Sequence, residues 1–179
     1  MKKLAIVLLL AVLPYVSNAQ SYFDKYENMN DVTSMVITNK MFKLLSKMDF
    51  ESTDAETQEY LNLVENINNI KVFVTEDKDV AQKMKGDVDQ YLKKSSLDEL
   101  MRIKSDDGEN IKFYVKPGKD EDHVQELFMY LVGNDSNEGK PETVILTITG
   151  NIDLKQVSKL ANDLNIPGGK ELKNVKKRN

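Results

Sequence analysis

The segment "HVQELFMYLVG", His123 to Gly133, decides the fold. Val124, Leu127, Phe128 and Leu131 fit one side of a helix. Leu127, Met129 and Leu131, set against Phe128, Tyr130 and Val132, fit a strand buried on both sides. Periodicity alone does not separate these readings in so short an apolar run. The neighbourhood favours a strand. The run lies between two strand-like segments, and turn chemistry brackets it, with Gly118 ahead and "GNDSNEGKP" behind. Its β-branched and aromatic content points the same way.

Working outward, "LDELMRIK" (97–104) and "ENIKFYVK" (109–116) flank "SDDG", and Asp-Gly between alternating runs is a hairpin signal. In the second run Ile111, Phe113 and Val115 face one way, and Lys112, Tyr114 and Lys116 the other. "ETVILTITGNI" (142–152) is a further β-branched strand. "DLKQVSKLANDL" then reads as an amphipathic helix with Leu154, Val157, Leu160, Ala161 and Leu164 inward, stopped by "NIPGG".

Toward the N-terminus, "VTSMVIT" (32–38) predicts a strand. "NKMFKLLSKM" predicts a helix capped by Asn39, with Met41, Leu44, Leu45 and Met48 at helical spacing. "STDAETQEYLNLVENINN" predicts a second helix along Tyr60, Leu61, Val64 and Ile67, and "IKVFVTE" (70–76) a strand. "DKDVAQKMKGDVDQYLKKS" predicts a third helix with Val80, Met84, Val88, Tyr91 and Leu92 buried; Gly86 inside it costs about 1 kcal/mol against Ala. The order is β-α-α-β-α-β-β-β-β-α. The expected class is α+β, a mostly antiparallel sheet of about six strands with helices packed on one face.

The first twenty residues, "MKKLAIVLLLAVLPYVSNAQ", read as a secretory signal peptide. Lys2 and Lys3 form the positive region, Leu4 to Leu13 the apolar one, and Ser17-Asn18-Ala19 the cleavage signal. Ten apolar residues are too few for a bilayer span, which takes about 20. Cleavage after Ala19 leaves 160 of the 179 residues. Residues 20–168 are then a single domain, and 169–179 a basic tail expected to be disordered, with Lys170, Lys173, Lys176, Lys177 and Arg178. Losing Lys2 and Lys3 takes 25 basic residues to 23 against 29 acidic, a net charge of −6. That balance carries no footprint for nucleic acid. The absence of cysteine removes thiol catalysis and thiolate metal sites, and a single histidine removes multi-histidine zinc or copper sites. An exported, periplasmic or secreted chain of this size has core enough to dispense with disulfides.

The one histidine, His123, follows Asp120, Glu121 and Asp122. With the strand reading these residues form a hairpin turn, and a solvated turn is expected, without metal or cofactor. Asn134 to Gly139 resembles the start of a calcium loop, but its twelfth position is Ile145 instead of a bidentate Glu. Asp106, Asp107 and Glu109 lie in a tight turn with no apolar pocket to raise a pKa. Neither G-x-S-x-G nor H-E-x-x-H occurs, and a hydrolase would have to recruit His123 from a hairpin tip. The expectation is a non-enzymatic protein.

What is left is surface. Helices on one face leave the other face of the sheet open. Leu127, Met129 and Leu131, with Ile145 and Tyr114 alongside, would there form an apolar patch for a protein partner or a small apolar ligand. The alternative is that another helix covers it, or the N-terminal segment with Tyr22, Phe23 and Tyr26.

"FDKYENMNDVTSMVITNKMF", "DDGENIKFYVKPGKDEDHVQELFMYLVG" and "TVILTITGNIDLKQVSKLA…NIPGG" together resemble the bacterial family called domain of unknown function 4252, small exported proteins mostly of Bacteroidota. The resemblance spans nearly all of the chain after the leader. It implies an envelope location and supplies no catalytic or binding residue to transfer. It also implies a second role, as an accessory regulator of envelope stress signalling through sigma and anti-sigma factors.

Overall fold

The computed structural model describes residues 22–47, 64–105, 108–120, 122–133 and 143–153. The proposed leader, most of the second helix, the last helix and the basic tail lie outside the described residues.

A 3-10 turn at Asp24–Tyr26 leads into β1 (Thr33–Thr38) and α1 (Asn39–Lys47). Then come β2 (Ile67–Thr75), α2 (Lys78–Lys94), β3 (Asp98–Lys104), β4 (Asn110–Pro117), β5 (His123–Val132) and β6 (Thr143–Asp153). The six strands form one sheet in the order β1-β2-β6-β5-β4-β3. Every neighbouring pair is antiparallel. The protein is therefore α+β, and the deciding segment is a strand near the centre of the sheet.

Both faces of the sheet are buried along its central strands β5 and β6. On one, α2 lays Val80, Met84, Val88 and Tyr91 against Phe73, Phe128 and Ile145. The N-terminal segment joins them. Phe23 stacks on Phe128, with ring centroids 5.6 Å apart, and meets Tyr91 edge-on at 5.1 Å. Each large side chain removed from water there contributes roughly 1.5–3 kcal/mol, and the aromatic pairs add to that. On the opposite face Phe42 of α1 and Val64 pack with Ile70, Phe113, Leu127, Met129 and Ile148. The helices thus sit on both faces, where one was expected.

Three local readings also change. Ile67, placed on a helical stripe by its spacing, begins β2. Asn39 does not cap α1; its side-chain amide donates to the Ile67 carbonyl at 2.9 Å and ties the helix to β2. The first turn so anchored turns Phe42 into the core and leaves Met41 and Leu44 in solvent. By contrast α2 starts as its sequence dictates, with the Asp77 carboxylate accepting from the Val80 N–H at 2.8 Å.

Candidate functional site

The five residues expected to form an apolar patch do not share a face, and none is exposed. Leu127, Met129 and Leu131 belong to the α1 side of the sheet, Tyr114 and Ile145 to the α2 side. Register is the cause. Directly opposed residues of an antiparallel pair project from the same face, and Tyr114 lies opposite Phe128 while Ile145 lies opposite Tyr130. All five are buried. Tyr22, Phe23 and Tyr26 do cover a face, but it is the one carrying Phe128. These five residues therefore form no open sheet face.

His123 lies at the start of β5 in a tight turn. Its backbone carbonyl accepts from the Gly118 N–H at 2.9 Å, and its Nδ1 is 2.6 Å from Oδ1 of Asp120. That hydrogen bond holds the Asp120 carboxyl below its usual range. The pair is three residues apart and faces solvent, and Oδ1 of Asp120 also accepts from the Asp122 N–H at 3.1 Å. Among the described residues no three potential ligands are placed to hold a metal ion. The imidazole supports the turn.

Two buried ionisable groups gave no sequence signal. Glu126 is buried on β5, just past a register shift, and accepts from the Tyr91 hydroxyl at 2.5 Å. Burial pushes its carboxyl up, while the Tyr91 bond and the charge of Lys116 offset part of the rise. Burial and the same carboxylate push the Tyr91 hydroxyl up. Lys71 of β2 lies under the N-terminal segment, 2.5 Å from Asp24 Oδ1 and 2.7 Å from Glu27 Oε1. Burial alone would lower its ammonium, but the two carboxylates prevail and raise it. Both groups fasten elements to the sheet: Glu126 holds α2, and Lys71 holds the N-terminal turn.

The Glu126 shift has a sign that can be measured. Its folded pKa is raised, so burial costs nothing while the group is protonated in both states. The cost appears as pH climbs past the ordinary Glu value of about 4.3 and is complete above the folded pKa. Glu126→Gln keeps an acceptor for Tyr91 and removes the charge. In thermal unfolding the variant is expected to melt above the wild type near neutral pH, with the gap closing by about pH 4. An equal gap at both pH values would show that Glu126 is not destabilised by its charge.

An open groove of about 360 Å³ runs between the N-terminal turn and α2, with Lys25, Tyr26, Lys83, Gly86 and Asp87 among its walls. Its one carboxylate is already engaged. Asp87 takes Lys25 at 2.5 Å and accepts the Tyr26 hydroxyl. The groove is a seam between packed elements.

The surface feature that stands apart is the β1 edge. Among the described residues the exposed large hydrophobics are Met35 (43 %), Val36 (40 %), Met41 (50 %) and Leu44 (62 %), all within β1 and α1. β1, "TSMVIT", carries no charge and no proline, and pairs with β2 without a register shift. The other edge, β3, is different. It carries Asp98, Glu99, Arg102 and Lys104, with Arg102 donating to Glu99 at 3.0 and 2.8 Å. Its register shifts between Glu99 and Met101. Charges and irregular pairing are how proteins block edge-to-edge association. β3 has both and β1 neither.

No helix among the described residues is long and apolar enough to cross a membrane. No curated protein and no solved structure matches the chain. The family model described as "Domain of unknown function (DUF4252)" matches residues 26–160, from the N-terminal turn to beyond β6. The chain belongs to that family.

Proposed function

We propose that this protein is a non-catalytic, exported interaction domain, and that it makes its contact along the β1 edge. The observation that carries the reading is the concentration of exposed apolar side chains at an uncharged sheet edge whose opposite counterpart is guarded. An edge strand presents unpaired N–H and C=O groups, which an incoming strand satisfies while flanking side chains add apolar contact. The buried ionisable groups support a non-catalytic role, since Glu126 and Lys71 are used for internal fastening. The N-terminal leader sequence supports export.

The test is a photoreactive phenylalanine analogue placed at position 36, and separately at position 102 on the guarded edge, in the cells that make the protein. Light-dependent adducts are expected from position 36 well above those from position 102. Equal or absent adducts at position 36 would refute contact at this edge.

A further inference from the structure

We infer that the strand received by β1 is β1 of a second copy of this chain, paired antiparallel about a two-fold axis normal to the sheet. This deepens the reading of β1 as the contact edge and rests on it.

A two-fold axis normal to the sheet preserves its faces, and opposed residues of an antiparallel pair share a face. The axis must then pass beside a residue that meets its own copy. If that residue is Met35, Thr33 meets Ile37 and Ser34 meets Val36. If it is Val36, Met35 meets Ile37 and Ser34 meets Thr38. In either register the exposed Met35 and Val36 lie at the centre of the joint. The rotation also keeps both α1 helices on one side of the joined sheet, so Met41 and Leu44 of each copy stand on that same side.

Exposed Asp31 precedes β1, and exposed Lys40 follows it. Antiparallel pairing sets the acidic end of one strand beside the basic end of the other, whereas parallel pairing would set like against like. The strand is thus complementary to itself in one orientation only. With β3 guarded, joining two β1 edges gives a closed pair of sheets with no free uncharged edge, where a head-to-tail contact would give an open chain.

The chain contains no cysteine, so a single introduced thiol reports its own surroundings. Met35→Cys and Val36→Cys lie at exposed positions, and Arg102→Cys serves as the control. Directly opposed Cβ atoms stand about 4.5–5.5 Å apart, close enough for a disulfide after slight adjustment. Mild oxidation of the purified chain is expected to give a covalent dimer from position 35 or 36 about tenfold or more faster than from position 102, because pairing raises the local thiol concentration. Sedimentation equilibrium is expected to show a dimer for the wild type and a monomer for Val36→Lys. Cross-linking from both positions at the control rate, with a monomeric wild type, would overturn self-pairing. If the photoreactive group at position 36 then still captures a different protein, contact at the edge stands and only the second copy is refuted. If it captures nothing, both fall.

Discussion

Gly150→Val is expected to destabilise the domain severely. Gly150 lies on β6 with φ of +152°, a conformation L side chains rarely adopt. A Cβ there would stand 2.2 Å from the Asn66 carbonyl oxygen and 2.9 Å from the Ile67 Cα. Both are backbone atoms, so no rotamer change relieves the clash. The position sits where the β2–β6 register shifts, and the Asn151 N–H donates to the same Asn66 carbonyl at 2.9 Å. A side chain would therefore push apart the start of β2 and the end of β6. Strain and clash together should cost about 3–5 kcal/mol, which lowers the melting temperature of a domain this size by roughly 10 °C. Gly86→Ala is the counterpart. Nothing lies within 4 Å of a Cβ at that helical position, so the change is expected to stabilise by about 0.5–1 kcal/mol. Differential scanning calorimetry of both variants reads the opposed signs. A Gly150→Val protein that melts with the wild type would refute the close backbone approach.

Much of the fold is legible in the sequence. The two-sided apolar run at 124–132 identified β5, "SDDG" the β3–β4 hairpin, and the spacing of Val80, Met84, Val88 and Tyr91 the buried side of α2. Periodicity within one element was enough for these. What it did not reach were relations between elements. Whether Tyr114 and Ile145 share a face with Leu127 depends on register, which is set partly by the shift between Val124 and Glu126. That the N-terminal Phe23 stacks on Phe128 is a contact across 105 positions of chain. That Phe42 turns inward in place of Met41 and Leu44 follows from a bond between Asn39 and a strand 28 residues away. The bare β1 edge was hidden for the same reason. "TSMVIT" reads as an ordinary strand, and only the strand order places it at the margin of the sheet.

The largest single effect is expected from Met129→Asp. Met129 is fully buried between Phe113 on β4 and Leu146 on β6, its register partners. A carboxylate there has no counter-ion in its apolar cluster. Placing an unpaired charge in such a site costs about 4–5 kcal/mol or more, a large share of the roughly 5–15 kcal/mol that holds a domain together. Had residues 127–131 lined an open docking surface, the same change would be nearly neutral for stability. Val36→Lys supplies the comparison, since exposed substitutions stay within about 0.5 kcal/mol.

Buried central strands and a bare β1 edge are tested most directly by one paired measurement: thermal unfolding of Met129→Asp beside Val36→Lys, followed by circular dichroism at a dilution where copies do not associate. The expected result is loss of the cooperative transition, or a melting temperature lowered by roughly 10 °C or more, for Met129→Asp, with Val36→Lys melting as the wild type does. A folded Met129→Asp with an unchanged transition, or a Val36→Lys that unfolds, would contradict it.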